Sequence, residues 1–412
     1  MESMVLKMRK TKDSGIEWIG EIPEGWEITK IKHIVSSVTD IDHFMPDSAE
    51  FGIPYLMIGD LKDLSSSIDW DSSKKISIED YKKLSIKSRP QIGDIIFARY
   101  ASIGTTCYID TDRDFLVSYA CLTIHPSDLI IGKFLSYYLK SSSFAEDVLR
   151  RTNSNTQGNV GKDSLVNATI VLPSIIEQTQ IVNFLDAKCS DINAMLSKIR
   201  ASIEEYKKLK QAVITQAVTK GVRGKREMKD SGVEWIGEIP AEWSIAKAKY
   251  YVTITHGSDP KTEGSIPVYG SGAESFKTCG EYKEGPTVLI GRKGATLHIP
   301  HYIEGKYWNV DTAFDVKAKN NFSLPYYYYL ATSFDYKFYI AQTTLPGMTQ
   351  SNYYNMFLPL PTFPEQEEIV NYLDAKCAEI DGLIAKKEQL VRELESYKKS
   401  LIYEVVTGKR EV

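Results

Sequence analysis

The stretch "KDSGIEWIGEIPEGW" at Lys12–Trp26 returns almost unchanged as "KDSGVEWIGEIPAEW" at Lys229–Trp243. A second pair of matching stretches lies later in the chain. These are "LPSIIEQTQIVNFLDAKCSDI" at Leu172–Ile192 and "LPLPTFPEQEEIVNYLDAKCAEI" at Leu358–Ile380. Self-similarity over such distances is typical of a duplicated architecture. The sequence therefore predicts two related halves.

The two repeats differ in their spacing. The openings stand 217 positions apart, at Lys12 and Lys229, whereas Glu177 and Glu365 stand 188 positions apart. The segment between the repeats is therefore shorter in the second half, and the chain alternates variable and constant segments. "GKRE" precedes the second opening and recurs at the C-terminal end. This order indicates a cyclic repeat with neighbouring termini and a pseudo-twofold molecule; a tandem duplication with separated halves is the alternative.

Composition places limits on the class of protein. The length of 412 residues fits two or more domains. The charged content of 25% is that of a globular protein. No apolar run approaches the ~20 residues of a membrane span. The five cysteines form no C-x-x-C pair and no regular framework, and we therefore expect a reduced, cytoplasmic protein. The net charge of −4 argues against nucleic-acid binding, yet residues 177–227 carry ten Lys and Arg against six Asp and Glu.

The constant segments are predicted to be long helices. From Ile181 the apolar positions alternate steps of four and three, which is the seam of a coiled coil. Gly221 and Gly408 follow the two segments as helix stops, and we expect the two helices to pack antiparallel. Cys189 and Cys377 lie in the seam and are interpreted as small buried hydrophobes. The other principal seam positions are Leu185, Ile192, Leu196, Tyr206, Leu373, Ile380, Ile384 and Leu394.

The variable segments, residues 28–171 and 245–358, have the pattern of α+β modules. Short β-rich runs are followed by one predicted helix in each module, at residues 132–149 and 325–340. The modules align with Arg99 on Arg292 and Val117 on Val310. Their identity is low, which indicates one fold with two different surfaces.

Two features of each module are candidates for contacting DNA. Basic, polar and aromatic residues on a strand–turn–strand unit can meet phosphates or base edges, and Asn and Gln in an amide-rich loop can contact adenine. The alternatives are a solvated hairpin tip and an ordinary Asn/Gly loop. The hairpin candidates are Arg99, Tyr100 and Ser102 in the first module, and Arg292, Lys293 and Thr296 in the second. The loop candidates are Asn155, Gln157 and Lys162, and Gln350 and Asn352.

Catalytic and metal-binding motifs are missing from the sequence. There is no phosphate-binding G-x-x-x-x-G-K-[ST], and Gly270 and Gly272 lack the rest of a dinucleotide motif. His298 and His301 have no acidic or Cys partner in sequence, so structural histidines are favoured over a metal site. Ser, His and Asp residues show no clustering. No catalytic residue and no metal ligand is therefore predicted, which favours a binding or positioning protein.

With its "EWIGEIPxxW" openings, its "EQxxIVxxLD" helix starts and its "AVTKG" and "VVTGK" helix ends, the chain resembles the specificity subunit of type I restriction-modification systems over essentially its whole length. The resemblance implies target recognition domains at residues 1–176 and 228–364. It implies conserved long spacer helices at residues 177–227 and 365–412. Each recognition domain would read one half of a bipartite, asymmetric DNA site.

The same resemblance implies the partners. The helices would set the unread spacer and dock two modification (methyltransferase) subunits, which bind S-adenosylmethionine, while restriction subunits would use ATP and Mg²⁺. This chain itself would hold no cofactor and would not be an enzyme. Two alternatives remain: a coiled-coil adaptor that joins two protein-binding modules, and a self-sufficient methyltransferase or nuclease. Whichever function is correct, we expect Trp18, Trp26, Trp235 and Trp243 to pack the modules onto the helix ends.

Overall fold

The structure is a computed structural model that describes residues 9–101, 103–151, 160–272, 274–319, 321–336, 339 and 347–412. It divides into two compact units. Unit 1 joins the chain up to Lys198 with Leu390–Val412, and unit 2 is Ile199–Gln389. Unit 1 therefore contains both ends of the described chain, as the cyclic repeat predicts.

Strands and helices alternate irregularly along the chain. The strands up to the first long helix are β1 (Thr11–Asp13), β2 (Glu21–Pro23), β3 (Glu27–Lys30), β4 (Val35–Thr39), β5 (Ile53–Leu56), β6 (Lys75–Ile76), β7 (Ile95–Ala98), β8 (Thr106–Tyr108), β9 (Leu116–Val117), β10 (Cys121–Pro126) and β11 (Thr169–Leu172). The helices of this region are α1 (Ile78–Leu84), α2 (Gly132–Leu139), α3 (Ser142–Arg151) and α4 (Lys162–Asn167), followed by α5 (Ile175–Lys220).

The second half repeats this order. Its strands are β12 (Met228–Asp230), β13 (Glu238–Pro240), β14 (Ser244–Lys247), β15 (Val252–His256), β16 (Ile266–Tyr269), β17 (Lys277–Cys279), β18 (Lys283–Glu284), β19 (Thr287–Gly291), β20 (His301–Ile303), β21 (Lys306–Asn309), β22 (Ala313–Ala318) and β23 (Phe357–Leu360). Its helices are α6 (Leu324–Ser333), α7 (Gln350–Asn355) and α8 (Phe363–Val406). Short 3-10 helices lie at Ile31–His33, Ile58–Asp60, Ser65–Ser67 and Ala248–Tyr250.

The two modules share the strand order of their main sheet, while the mixed sheet has three strands in unit 1 and four in unit 2. Unit 1 has an antiparallel sheet in the order β4-β10-β7-β8, and unit 2 has its counterpart, β15-β22-β19-β20. The mixed sheet lies beside it in each unit, with a parallel pair, β5–β9 in unit 1 and β16–β21 in unit 2. The α+β fold with two similar domains, predicted from the low-identity variable segments, is confirmed.

The structure corrects two details of the prediction. Leu56 pairs with Val117 in unit 1, and Tyr269 pairs with Asn309 in unit 2. Val117 is therefore equivalent to Asn309 and not to Val310, so the sequence alignment was wrong by one residue at that point. The single helix predicted for residues 132–149 is two helices, α2 and α3, because the chain turns at Ser141, whose hydroxyl accepts a hydrogen bond from the Phe144 amide (3.4 Å). Helix α6 ends at Ser333.

The two long helices pair within each unit. In unit 1 the first half of α5 packs against the last part of α8, and Lys398 donates a hydrogen bond to the Asn193 side chain at 2.9 Å. In unit 2 the second half of α5 meets the first part of α8, where Lys210 donates to Asp381 at 2.6 Å. In both units the start of one helix pairs with the end of the other, so the packing is antiparallel. Gly221 and Gly408, both with positive φ, end the helices as predicted.

The repeated opening stretch forms a joint between the helix ends. Trp26 is 1% exposed, and its ring lies next to Gly408, where an added Cβ would stand 3.0 Å from the ring. Its indole N–H donates to Glu177 (3.0 Å), in the first turn of α5. Each joint therefore connects the end of one long helix to the start of the other.

Unit 2 builds the same joint from Trp243, whose indole donates to Glu365 (3.1 Å) at the start of α8. Gly221 at the end of α5 lies against the Trp243 ring. In both units an arginine, Arg9 or Arg226, lies over the tryptophan and pairs with the same carboxylate. The predicted packing of these tryptophans onto the helix ends is thus seen at Trp26 and Trp243.

Candidate nucleic-acid interface

The Arg99 turn of unit 1 is fixed by its backbone. Arg99 follows β7, and its amide donates to the Ala120 carbonyl at 2.9 Å. Its carbonyl accepts a hydrogen bond from the Val160 amide at 3.0 Å. The turn is therefore held between the segment before β10 and the segment that leads into α4, so the hairpin and the end of the amide-rich loop lie together.

Unit 2 repeats this backbone frame at Arg292. Its amide donates to the Thr312 carbonyl at 2.8 Å, and its carbonyl accepts from the Met348 amide at 2.8 Å. Lys293 forms a β-bridge with Gly347 in the same segment. The alignment of Arg99 on Arg292, made from the sequence, agrees with these matching hydrogen bonds.

The Arg99 side chain is largely withdrawn from solvent. Its exposed fraction is 18%, and its Nη1 atom lies 3.3 Å from the Asp40 carboxylate. Its Nε atom is buried and has no hydrogen-bond partner among the described residues. The guanidinium lies over the ring of Tyr100 at 5.6 Å, and Tyr100 is 45% exposed. The arrangement orients a partly desolvated cation beside an exposed aromatic ring, and both types of group can contact nucleic acid.

The Arg292 side chain is held by a different acid. Its Nη1 atom donates to the Asp311 carbonyl at 3.0 Å and lies 3.5 Å from the Asp311 carboxylate. The exposed fraction of this side chain is 31%, which leaves part of the guanidinium fork open to solvent. The neighbouring Lys293 is exposed. The Thr296 hydroxyl lies 3.3 Å from that of Ser271, on the adjoining loop.

The amide-rich loops are only partly described. Lys162 is exposed at the first turn of α4. Gln350 donates to the Ile254 carbonyl at 2.6 Å, and Asn352 donates to the Tyr339 carbonyl at 2.9 Å. Both amides therefore support the conformation of their own domain. Ser102, Asn155 and Gln157 lie outside the described residues.

The predicted seam positions lie on the helix pair within their units. Five of them have exposed fractions between 0% and 6%: Leu185, Ile192, Leu196, Leu373 and Ile380. The other three, Tyr206, Ile384 and Leu394, are half-buried. Cys189 and Cys377 are buried free thiols, and burial raises the pKa of each. Lys387, which interrupts the apolar pattern, lies over the Tyr206 ring at 5.5 Å.

One polar cluster contradicts the expectation that Ser, His and Asp are unclustered. His125 Nδ1 lies 2.9 Å from the Asp94 carboxylate, and its Nε2 lies 3.1 Å from the Thr39 hydroxyl. The Thr39 hydroxyl also lies 2.9 Å from that of Ser88, which donates to Thr123 at 3.1 Å. These side chains cross-link β4, β10 and the segment before β7. These three segments are far apart in sequence, so the sequence pattern does not reveal the cluster.

Of the two histidines that the sequence favoured as structural, His301 lies half-buried on β20 and His298 is exposed. Burial lowers the pKa of the His301 ring below its ordinary value. Among the residues that the structure describes, no group of three His, Cys, Asp or Glu side chains could hold a metal ion. In the same part of the chain, no helix is both long and apolar enough to cross a membrane.

Two similar domains, each with an oriented arginine on a hairpin and each connected to a pair of long helices, define a duplicated recognition protein. The chain belongs to the family described as the type I restriction modification DNA specificity domain, whose model matches residues 23–205 and 246–392. It is thus a specificity subunit, which recognises DNA sequence and is not itself an enzyme.

The chain is similar to known proteins over nearly its full length. The chain is 26% identical over 422 residues to the putative type I restriction enzyme MjaX specificity subunit of Methanocaldococcus jannaschii, covering 95% of each protein. It is 23% identical to the MjaVIII specificity subunit of the same organism, covering 94% of this chain and 93% of the relative. A chain from a structure on complex assembly and conformational transition of the type I R-M system has the same fold. That match has a TM-score of 0.72 and 17% identity, and covers 94% of this chain and 99% of the other.

Proposed function

We propose that each unit reads one half of a bipartite, asymmetric DNA site. The observation that carries this proposal is the matched backbone frame around Arg99 and Arg292, on which the two units present different side chains. An arginine can donate two hydrogen bonds to the O6 and N7 atoms of guanine in the major groove. One fold with two surfaces supports two different half-sites within one recognition sequence.

Mapping methylated adenines in the native host, with and without this chain, tests the recognition role. We expect that deletion removes one bipartite methylation motif and that re-expression of the chain restores it. Re-expression of an Arg99→Ala, Arg292→Ala double variant is the matched comparison, since it keeps the helices and both joints. An unchanged set of methylation motifs after deletion would contradict the proposal.

The paired helices are proposed to set the length of the unread spacer. A helix rises about 1.5 Å per residue, so removing seven residues shortens it by roughly 10 Å, about three base pairs of duplex DNA at 3.4 Å each. One heptad can be removed from both helices, at Ile199–Glu205 and Lys387–Glu393, which keeps the apolar seam in phase. We expect a spacer shortened by about two to three base pairs with both half-sites unchanged. An unchanged spacer would contradict the proposal that the helices set its length, while leaving the recognition role intact.

We propose that the outer faces of the helices dock two modification subunits. Exposed apolar side chains on these helices support this role, since such surface on a helix favours a protein partner. They include Ile176, Met195, Leu209, Tyr372, Leu383, Leu390 and Tyr397. We expect Met195→Asp to weaken co-purification of the modification subunit, whereas Glu205→Gln, at an exposed polar position, should not. Equal recovery with both variants would contradict docking at this face.

Cofactor chemistry is assigned to the partners in this proposal. S-adenosylmethionine would bind the modification subunits, and ATP with Mg²⁺ would bind the restriction subunits. The purified chain alone should therefore show no S-adenosylmethionine binding in calorimetry, while the complex with its modification subunits should bind it. Tight binding by the isolated chain would favour the self-sufficient methyltransferase instead.

A further inference from the structure

A short loop of unit 2 packs directly on the Arg292 hairpin. The loop is Gly270–Gly272, and its central hydroxyl, on Ser271, lies 3.3 Å from the hydroxyl of Thr296 on the hairpin. A Cβ added to Gly294, which has φ +115°, would lie 3.0 Å from the same Ser271 oxygen. The loop and the hairpin therefore meet through two hydroxyl groups and a glycine.

The loop is also placed by the turn that orients Arg292. A Cβ added to Gly270 would lie 2.9 Å from the Thr312 hydroxyl. The carbonyl of Thr312 accepts the Arg292 amide at 2.8 Å, and the preceding Asp311 holds the guanidinium. Three segments thus converge on one place, and a side chain at position 270 would push the loop away from the other two.

The hydroxyl pair has a defined hydrogen-bonding capacity. Each hydroxyl has one donor hydrogen and two acceptor lone pairs. When one hydroxyl donates to the other, the pair keeps one outward donor and spare acceptors. Adenine presents one donor and one acceptor, N6–H and N7, at its major-groove edge, whereas guanine presents two acceptors there. Both Ser271 and Thr296 are half-exposed.

We propose that Ser271 and Thr296 together read one base pair of the unit 2 half-site, contacting a base edge that offers one donor and one acceptor, as adenine does. The inference rests on the proposed reading of DNA by the Arg292 hairpin and adds a second specificity element to it. Arg292 supplies two donors for a guanine, and the hydroxyl pair supplies mixed donor and acceptor groups beside it.

Among the residues that the structure describes, the two units differ just after this matched pair of strands. Leu56 and Tyr269 occupy the same position in the parallel strand pairs, and their carbonyls accept the matching amides of Ser118 and Val310. Two residues further along the chain, unit 1 has Ile58, which begins a 3-10 helix, and unit 2 has Ser271. Ile58 packs against an apolar cluster of unit 1. The effect of removing the hydroxyls should thus be confined to one half of the recognition sequence.

The test compares methylation motifs in the native host after replacing the chain with Ser271→Ala or Thr296→Val. We expect relaxed recognition at one base pair of a single half-site, with roughly tenfold lower discrimination at that position and an unchanged spacer. Thr296→Ser keeps the hydroxyl and should retain the wild-type motif. Gly270→Ala, which displaces the loop without removing a hydroxyl, should relax the same base pair.

Ser244→Ala is the matched control, because Ser244 is an exposed serine on β14 of the same unit. Its motif should equal that of the wild type. An unchanged motif in both Ser271→Ala and Thr296→Val, in a host where deleting the whole chain does remove the motif, would overturn this inference alone. If deleting the chain removes no motif, the proposed function fails first and the inference fails with it. If a variant loses methylation entirely, its base preference is measured instead by binding of the purified complex to duplex DNA. Equal affinity for all four bases at that position confirms the loss of reading, and a retained preference contradicts it.

Discussion

The Arg99 hairpin of unit 1 and the Arg292 hairpin of unit 2 share their backbone hydrogen bonds and differ in what surrounds them. Arg99 is 18% exposed and is held by Asp40, from the end of β4. Arg292 is 31% exposed and is held by Asp311, from the turn before β22. Two residues after the matched strand positions Leu56 and Tyr269, unit 1 has the apolar Ile58 and unit 2 has Ser271. The backbone frame therefore does not depend on the residues that it displays, which allows one fold to carry two specificities.

The joints at the helix ends show the opposite behaviour. Both units use a tryptophan, a glutamate and an arginine in the same arrangement, so the side chains themselves are repeated. Each glutamate accepts the indole hydrogen bond and pairs with the arginine, and each tryptophan also touches the glycine that ends the other helix. A part that must close the fold keeps its residues, whereas a part that contacts a variable partner keeps only its backbone.

The largest effect is expected from removing the joint tryptophans. Trp26→Ala and Trp243→Ala should each lower the free energy of unfolding by about 3–5 kcal/mol, since each ring is fully buried and its removal leaves a cavity. Chemical denaturation combined with hydrogen exchange resolves which unit opens. The losses should be equal within about 1 kcal/mol if the joints are equivalent.

Tyr250→Ala serves as the control for these variants, because Tyr250 is 61% exposed. Its effect should stay within about 0.5 kcal/mol, as for most surface substitutions. A loss below about 1 kcal/mol for either tryptophan would show that the ring does not close the joint.

The next largest effect concerns the two arginines. Arg99→Ala and Arg292→Ala should each lower affinity for the cognate duplex by about 10- to 100-fold, which corresponds to the 1–3 kcal/mol of a good base contact. Arg→Lys at either position should restore little, because a lysine cannot make the paired hydrogen bonds of a guanidinium. Binding of the purified complex to duplexes that differ in one half-site measures this. Full affinity in the Lys variants would indicate contact with phosphate and not with a base.

A smaller and unequal effect is expected from the acids that hold the arginines. Asp40→Asn should cost more than Asp311→Asn, because the Arg99 guanidinium is less exposed and would lose its charged partner. We expect about 1–2 kcal/mol in unfolding free energy for Asp40→Asn, and less than about 1 kcal/mol for the more exposed Arg292 pair. Thermal unfolding of both variants at one salt concentration makes the comparison. Equal losses would mean that the different burial of the two arginines has no energetic consequence.

The smallest expected effect is that acid lowers the stability of unit 1. Burial alone would raise the pKa of the Glu177 carboxyl, but hydrogen bonds from Trp26, Ser174 and Arg9 outweigh it and hold the pKa below its ordinary value of about 4.5. Because the pKa is lower in the folded state, the carboxylate stabilises the fold above its ordinary pKa of about 4.5. This contribution is lost as the pH falls through the lowered pKa of the folded state. Unfolding midpoints measured from pH 6 down to pH 3 should therefore fall more steeply for the wild type than for Glu177→Gln. Parallel curves would contradict this role of the carboxylate.

The duplicated architecture could be predicted from the sequence because its signals are local. The long helices follow from apolar positions three and four residues apart, and glycines at 221 and 408 mark their ends. The hairpins around Arg99 and Arg292 follow from short β-rich runs. The break between α2 and α3 was missed because a polar stretch can continue a helix, and only the Ser141 turn decides otherwise.

The residues that orient the reading surface could not be predicted in the same way. Asp40 lies 59 positions before Arg99 in the sequence, whereas Asp311 lies 19 positions after Arg292. No common spacing connects these acids to their arginines, and only the folded sheets bring them together. The His125 cluster was missed for the same reason. Ser271 lies in a glycine-containing loop that resembles a fragment of a nucleotide-binding motif, and its contact with Thr296 depends on tertiary packing.

The methylation motifs of two single variants test the central claim most directly. In the native host, the chain is replaced by Arg99→Ala or by Arg292→Ala, and methylated adenines are mapped over the genome. The account predicts that each variant changes or relaxes one half of a bipartite motif, that the two variants affect opposite halves, and that the spacer stays constant. If both variants altered the same half, or if neither changed the motif, the assignment of one half-site to each unit would be wrong.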